Sequence, residues 1–101
     1  MAISVDELAN NRHMYVGTKV EVEGTLCKYC IDTGLLAGPS TFKLGGEDWN
    51  IGIRSERKVP EGRKLKCYLD AFLGQEVSFE VGVLDRNYTN AIKLGDRRFS
   101  W

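Results

Sequence analysis

From Thr18 onward the chain alternates polar and apolar residues with a period of two. Val20, Val22, Gly24 and Leu26 share one parity and Lys19, Glu21, Glu23 and Thr25 the other, which predicts a long, half-buried strand reaching about Tyr29 or Cys30. Gly24 falls in its middle, where a missing side chain permits a sharp bend and lets one strand serve two sheets. Phe42 and Leu44 mark a short second strand over 41–44, and Trp49, Ile51 and Ile53 alternate with Asn50, Gly52 and Arg54 in a third. That parity sends Trp49 into the core; a one-residue slip at the Gly45–Asp48 turn would instead expose it. Val77, Phe79, Val81 and Val83 make a fourth strand, Ala91–Leu94 a short fifth, and Arg97–Trp101 a tail or its continuation.

Two segments follow the helical period instead. Ser4-x-x-Glu7 ahead of Leu8 has the form of a capping box, predicting a short helix over about 5–10 that ends at Asn10-Asn11. Leu65, Tyr68, Leu69 and Phe72 are spaced i, i+3, i+4 and i+7, a helical stripe that follows the Val59-Pro60-Glu61-Gly62 break and stops at Gly74. Turn-forming residues place loops over 32–39 and 85–90.

The resulting order is short helix, long strand, strand, strand, helix, strand, strand. It resembles the OB-fold, an all-β, five-stranded Greek-key barrel with one or two helices, one of them lying between the third and fourth strands. The likeness is one of topology and covers about residues 16–96 of a single domain spanning 1–101. Within it, Val16–Leu26 is similar to the first strand of OB domains that bind single-stranded nucleic acids or anticodons. An SH3-like barrel lacks so long a helix between strands three and four.

The resemblance implies a ligand site on the outer face of the second and third strands, flanked by the 32–39 and 85–90 loops. Carried onto this chain, that face holds Thr41, Lys43, Asn50, Gly52 and Arg54, with Tyr29 beside it and Arg86 and Tyr88 in the later loop. Single strands are held by aromatic platforms and by cations along the backbone. Tyr29 and Tyr88 would stack, Lys43, Arg54 and Arg86 would meet phosphates, and Gly52 would admit a base close to the sheet. Single-stranded DNA or RNA is the expected partner. The alternatives are a protein partner, suggested by the Phe99–Trp101 tail, and an oligosaccharide or small ligand.

Charge changes this picture only locally. The 101 residues carry 14 Lys and Arg against 14 Asp and Glu, so the chain does not coat nucleic acid by net charge. Residues 1–53 hold 4 basic and 7 acidic side chains, and residues 54–101 hold 10 and 7. Six of those basic residues fall in Arg54–Lys66, opposed only by Glu56 and Glu61, and read as a solvated loop and helix start. No apolar run approaches the roughly 18 residues of a membrane span, and no basic-then-apolar leader opens the chain. With three cysteines, which cannot all pair, this reads as a cytoplasmic protein without a membrane partner.

Catalytic and metal chemistry find little support. Residues three apart on a strand point to opposite faces, so Cys27-x-x-Cys30 is not a ready ligand pair, and zinc needs two further ligands. The cysteines read as structural, with Cys30 buried. His13 stands alone with no partner to orient it, and Asp6, Glu7, Glu47 and Asp48 sit in a cap and a turn. Gly34 and Gly38 do not lead into a phosphate-binding helix. The expectation is a binding protein, with no catalytic residues, metal or cofactor.

Overall fold

The computed structural model describes residues 2–101. Strand β1 (Ala2–Ser4) leads into helix α1 (Val5–Asn10) and a further helical turn, α2 (Arg12–Tyr15). Strands β2 (Lys19–Cys30), β3 (Thr41–Gly45) and β4 (Asn50–Ser55) follow, then helix α3 (Gly62–Phe72), then β5 (Glu76–Val83), β6 (Asn87–Leu94) and β7 (Arg97–Ser100). Five strands close a barrel in the order β2-β3-β4-β6-β5 and back to β2. β4 and β6 run parallel and the other barrel neighbours antiparallel. This is a small all-β barrel with its main helix between the third and fourth barrel strands.

Closure depends on β2, which pairs β5 through Lys19–Thr25 and β3 through Thr25–Cys30. The handover falls beside Gly24, as the period-two pattern with a mid-strand glycine requires. A Cβ on Gly24 would lie 2.6 Å from Val5 Cγ2 and 3.0 Å from the Gly45 carbonyl, so the bare backbone also lets α1 pack closely. The interior is filled by Val22, Leu26, Leu44, Ile53, Val81, Val83 and Ile92, with Phe42 and Phe79 edge to face at 5.0 Å. Each fully buried side chain of this size contributes about 1.5–3 kcal/mol. Val5 and Leu8 of α1 enter the core near the β3–β4 turn, and Leu65 and Leu69 of α3 enter it near the far end of β2.

The ends of the helices follow local chemistry. Ser4 Oγ accepts from the Glu7 N–H at 3.0 Å, half of the expected capping box. Glu7 does not reach back; its carboxylate accepts from Asn11 Nδ2 at 2.8 Å and from the Tyr15 hydroxyl at 2.7 Å, tying α2 to α1. The hydrogen bond to Glu7 is the main cause of a raised Tyr15 pKa. Gly74, with φ of 80°, provides the left-handed turn after α3.

Four expectations need correction. The last barrel strand begins at Asn87 rather than Ala91, because it pairs β5 from Val83 onward and β4 through Tyr88 and Thr89. The expected 85–90 loop therefore shrinks to a tight turn, and Tyr88 is a strand residue. Trp49 is 50% exposed rather than core: it precedes β4, in a turn whose Glu47, Asp48 and Trp49 N–H groups all donate to the Asp6 carboxylate. Cys30 is exposed, and so are Cys27 and Cys67. Tyr29 turns inward. The last two corrections share one cause, a bulge in β2 between Leu26 and Lys28. One extra residue reverses the parity of everything after it, so Tyr29 stands opposite buried Phe42 while Lys28 and Cys30 stand opposite exposed Lys43 and Thr41.

The tail is docked. β7 pairs with β6, Phe99 meets the Tyr68 ring at 5.1 Å, and the Arg97 guanidinium lies over that same ring at 4.8 Å. Trp101 is half-buried beside Val59 and Leu65.

Candidate nucleic-acid interface

Strand register builds the outer face row by row. One row crosses the barrel wall as Cys30, Thr41, Arg54 and Tyr88, each the pairing partner of the next across β2, β3, β4 and β6. The next row runs Lys28, Lys43, Gly52. Asn50 follows, opposite Gly45 at the turn end of the hairpin. Thr41, Lys43, Asn50 and Gly52 are exposed and Arg54 and Tyr88 half-buried, so six of the eight candidate residues share one surface.

A groove of about 430 Å³ lies along this surface, bordered by Thr41, Gly52, Arg54, Arg86, Asn87 and Arg12. Arg86, the seventh candidate, enters it from the β5–β6 turn. Gly52 forms an open stretch of floor, since a Cβ there would meet no heavy atom within 4 Å. The edge is pinned by a relay of polar contacts. Arg12 donates to the Leu84 carbonyl at 2.9 Å and to Asn87 Oδ1 at 3.4 Å, and Asn87 Nδ2 donates to the Gly52 carbonyl at 3.1 Å. The relay fixes the turn that carries Arg86 against the strand that carries Arg54. At the opposite side, the Ser55 N–H donates to the Ser40 carbonyl at 2.9 Å and the Ser40 N–H to Ser55 Oγ at 2.8 Å, joining the ends of β3 and β4 inside the barrel.

The electrostatics are one-sided. Lys28 and Lys43 face each other directly across the β2–β3 ladder, a placement that destabilises a sheet. Neither of the two ion pairs among the described residues involves Lys28, Lys43, Arg54, Arg86 or Arg12. The one carboxylate bordering the groove, Asp85, accepts a hydrogen bond from the Tyr88 hydroxyl at 3.1 Å. That bond holds the Tyr88 side chain toward the Arg86 turn.

Tyr29 is the eighth candidate, and it lies apart. Its hydroxyl donates to Asp70 on α3, and its pKa is pushed up to about 12 by desolvation and by that carboxylate. It is a seam between barrel and helix rather than a stacking platform. Sequence reasoning missed Lys28 and Arg12. Lys28 left a signal: strict alternation would have put a lysine in the barrel interior, which a bulge before it avoids. Arg12 left none, because its reach to residues 84 and 87 is a tertiary contact.

A second, larger hollow of about 510 Å³ lies on the other side of the barrel, bordered by Lys19, Glu21, Ser78, Glu80, Lys93 and Arg98. Its three cations meet two carboxylates, and Glu80 pairs with both Lys19 and Arg98, so size alone does not choose the site. Among the described residues no three His, Cys, Asp or Glu side chains gather as a metal site, and no helix is long and apolar enough to cross a membrane. Comparison with known proteins returns no matching family model, no similar curated protein and no similar solved structure.

Proposed function

We propose that this chain is an OB-fold protein that binds single-stranded DNA or RNA along the outer face of β3 and β4. The barrel order supports the family reading: the third and fifth barrel strands pair in parallel and a helix precedes the fourth, as in an OB barrel. The observation that carries the function is the unneutralised Lys28–Lys43 pair beside Arg54. A sheet gains nothing for its own stability by setting two lysines opposite each other, so an anionic ligand is the economical reason to keep them.

A single strand has the right complement. Its phosphates would be met by Lys28, Lys43, Arg54 and Arg86, and Tyr88 offers the ring for a base to stack on. Gly52 lets a second base lie flat against the sheet. Arg12 holds the groove edge and offers its remaining donors. The net charge of zero does not oppose this, because the cations are concentrated on one face while carboxylates collect elsewhere, as at the hollow bordered by Asp6, Glu23, Glu47 and Glu76.

The test is fluorescence anisotropy of labelled single-stranded DNA and RNA oligomers at several salt concentrations. Saturable binding that weakens with salt is expected. Lys43→Ala with Arg54→Ala should weaken it and make the slope of log affinity against log salt shallower by about 1.4, at roughly 0.7 for each phosphate no longer neutralised. Thermal stability should hold or rise slightly, since these two side chains make no ion pair and the variant removes the Lys28–Lys43 repulsion. Unchanged affinity in the folded double variant would move the site elsewhere, and no binding at low salt would remove the nucleic-acid reading.

A further inference from the structure

The loop between β2 and β3 ends in two leucines that touch almost nothing. Leu35 and Leu36 are 101% and 100% exposed, the most exposed large apolar side chains among the described residues. Neither borders the nucleic-acid groove. The loop beneath them is nonetheless built. Asp32 accepts from the Gly34 N–H at 3.3 Å and the Gly38 N–H at 3.0 Å, the Ala37 N–H donates to the Gly34 carbonyl at 3.0 Å, and Lys58 Nζ donates to the same carbonyl at 3.3 Å. A held loop with a bare apolar apex is a presented feature, and exposed apolar surface of this kind marks interaction sites.

Its surroundings indicate what it meets. Lys58 touches the loop directly, Arg57 precedes it, and the first turn of α3 lies against the loop base, where a Cβ on Gly62 would meet Ile31 and Thr33. Arg63 and Lys64 follow on that turn and are exposed. The acidic groups nearby are Glu56, Glu61 and Asp32, the last engaged by its own loop. Arg57, Lys58, Arg63 and Lys64 thus form a cationic collar at the base of an apolar tip. We infer that Leu35 and Leu36 insert into an anionic lipid bilayer while Arg57, Lys58 and Arg63 rest among its headgroups.

The layering matches. A bilayer presents negative charge first and hydrocarbon behind it, and a convex tip with a cationic collar presents the complement in the same order. Aliphatic tips are poor partners for nucleic-acid bases, which favour aromatic platforms. The absence of a spanning segment in the sequence does not bear on such a contact, which asks only for a surface. The inference is independent of the nucleic-acid reading, and the two use different residues.

The experiment is sedimentation of the protein with vesicles of phosphatidylcholine alone and of phosphatidylcholine with phosphatidylserine, at low and high salt. Binding to the anionic vesicles, weakened by salt, is expected. Leu35→Asp with Leu36→Asp should reduce partitioning by on the order of a hundredfold, since two leucines no longer enter hydrocarbon, and Arg57→Glu with Lys58→Glu by at least about tenfold. Oligonucleotide affinity of the leucine variant should stay within about threefold of the parent, because neither leucine borders the groove. A Leu36→Trp variant should show a blue-shifted emission on anionic vesicles and quenching by brominated acyl chains. Failure to sediment, undiminished binding of the leucine variant, or an unshifted tryptophan would each overturn the inference. A fall in oligonucleotide affinity without any vesicle binding would assign the tip to nucleic acid instead.

Discussion

Two outer faces of one barrel carry many charges and treat them differently. On the β2–β5–β6 side, Glu80 sits between Arg98 at 3.0 Å and Lys19 at 3.8 Å, and Glu21 accepts from Ser78 Oγ at 2.7 Å. On the β3–β4 side, Lys28 faces Lys43, Arg54 stands beside Tyr88, and no carboxylate pairs with any of these cations among the described residues. Both faces are made of alternate strand residues, so the pleat explains exposure on each. It does not explain the sign pattern. Exposed ion pairs contribute at most about 1 kcal/mol, which makes the first face ordinary solvated surface. The second leaves a like-charge pair uncompensated, a cost that the proposed anionic ligand would offset.

The contrast between the faces breaks most easily by charge reversal. Lys43→Glu with Arg54→Glu should lower single-strand affinity by on the order of a hundredfold at low salt, because like charge against phosphate costs several kcal/mol. Lys19→Glu with Arg98→Glu, the same change of net charge on the other face, should shift affinity by no more than about fivefold through the long-range field. Anisotropy on both variants decides it. Equal effects would mean that the protein attracts nucleic acid through overall charge and has no particular face.

A smaller effect isolates shape from charge. Gly52→Leu adds a side chain to the groove floor without meeting any heavy atom at its Cβ. A leucine suits an exposed strand position better than glycine, so the melting temperature should hold or rise. Affinity should fall on the order of tenfold, the worth of one stacked base. If the variant binds as tightly as the parent, bases do not approach the sheet there and the groove serves only phosphates.

How legible this was in the sequence depended on the physics of each element. The strands with an unbroken period, 19–26 and 76–83, are legible to within a residue or so, because burial on one face enforces alternation. Helix α3 was legible from Leu65 and Leu69, both of which are buried. What failed did so where an interaction distant in the chain decides the backbone. The β2 bulge is fixed by register against β3, and it moved Tyr29 off the candidate face and Lys28 onto it. Asn87–Asn90 lacks an apolar run, yet it is strand because β4 and β5 both pair with it. Trp49 kept the parity of Ile51 and Ile53, but the Asp6 carboxylate shapes the turn before β4 and leaves it at the rim. Arg12 joins the groove through a carbonyl 72 residues away, an interaction without local signature.

The most discriminating change is also the gentlest. Lys28→Glu turns the like-charge pair across β2 and β3 into an opposite-charge one, at a position both exposed and fixed in register. Cross-strand pairs of opposite charge stabilise a sheet by roughly 0.2–1 kcal/mol, so the denaturation midpoint should rise with the slope unchanged. The same change removes a cation from the proposed phosphate track, and affinity should fall about fivefold or more because one phosphate is left without its counter-charge. Stability and binding then move in opposite directions through a single side chain. A rise in stability with undiminished affinity would make Lys28 an ordinary surface residue and leave the groove to Lys43, Arg54 and Arg86. A fall in both would mean that Lys28 supports the bulge itself, and the uncompensated lysine pair would no longer point to a ligand.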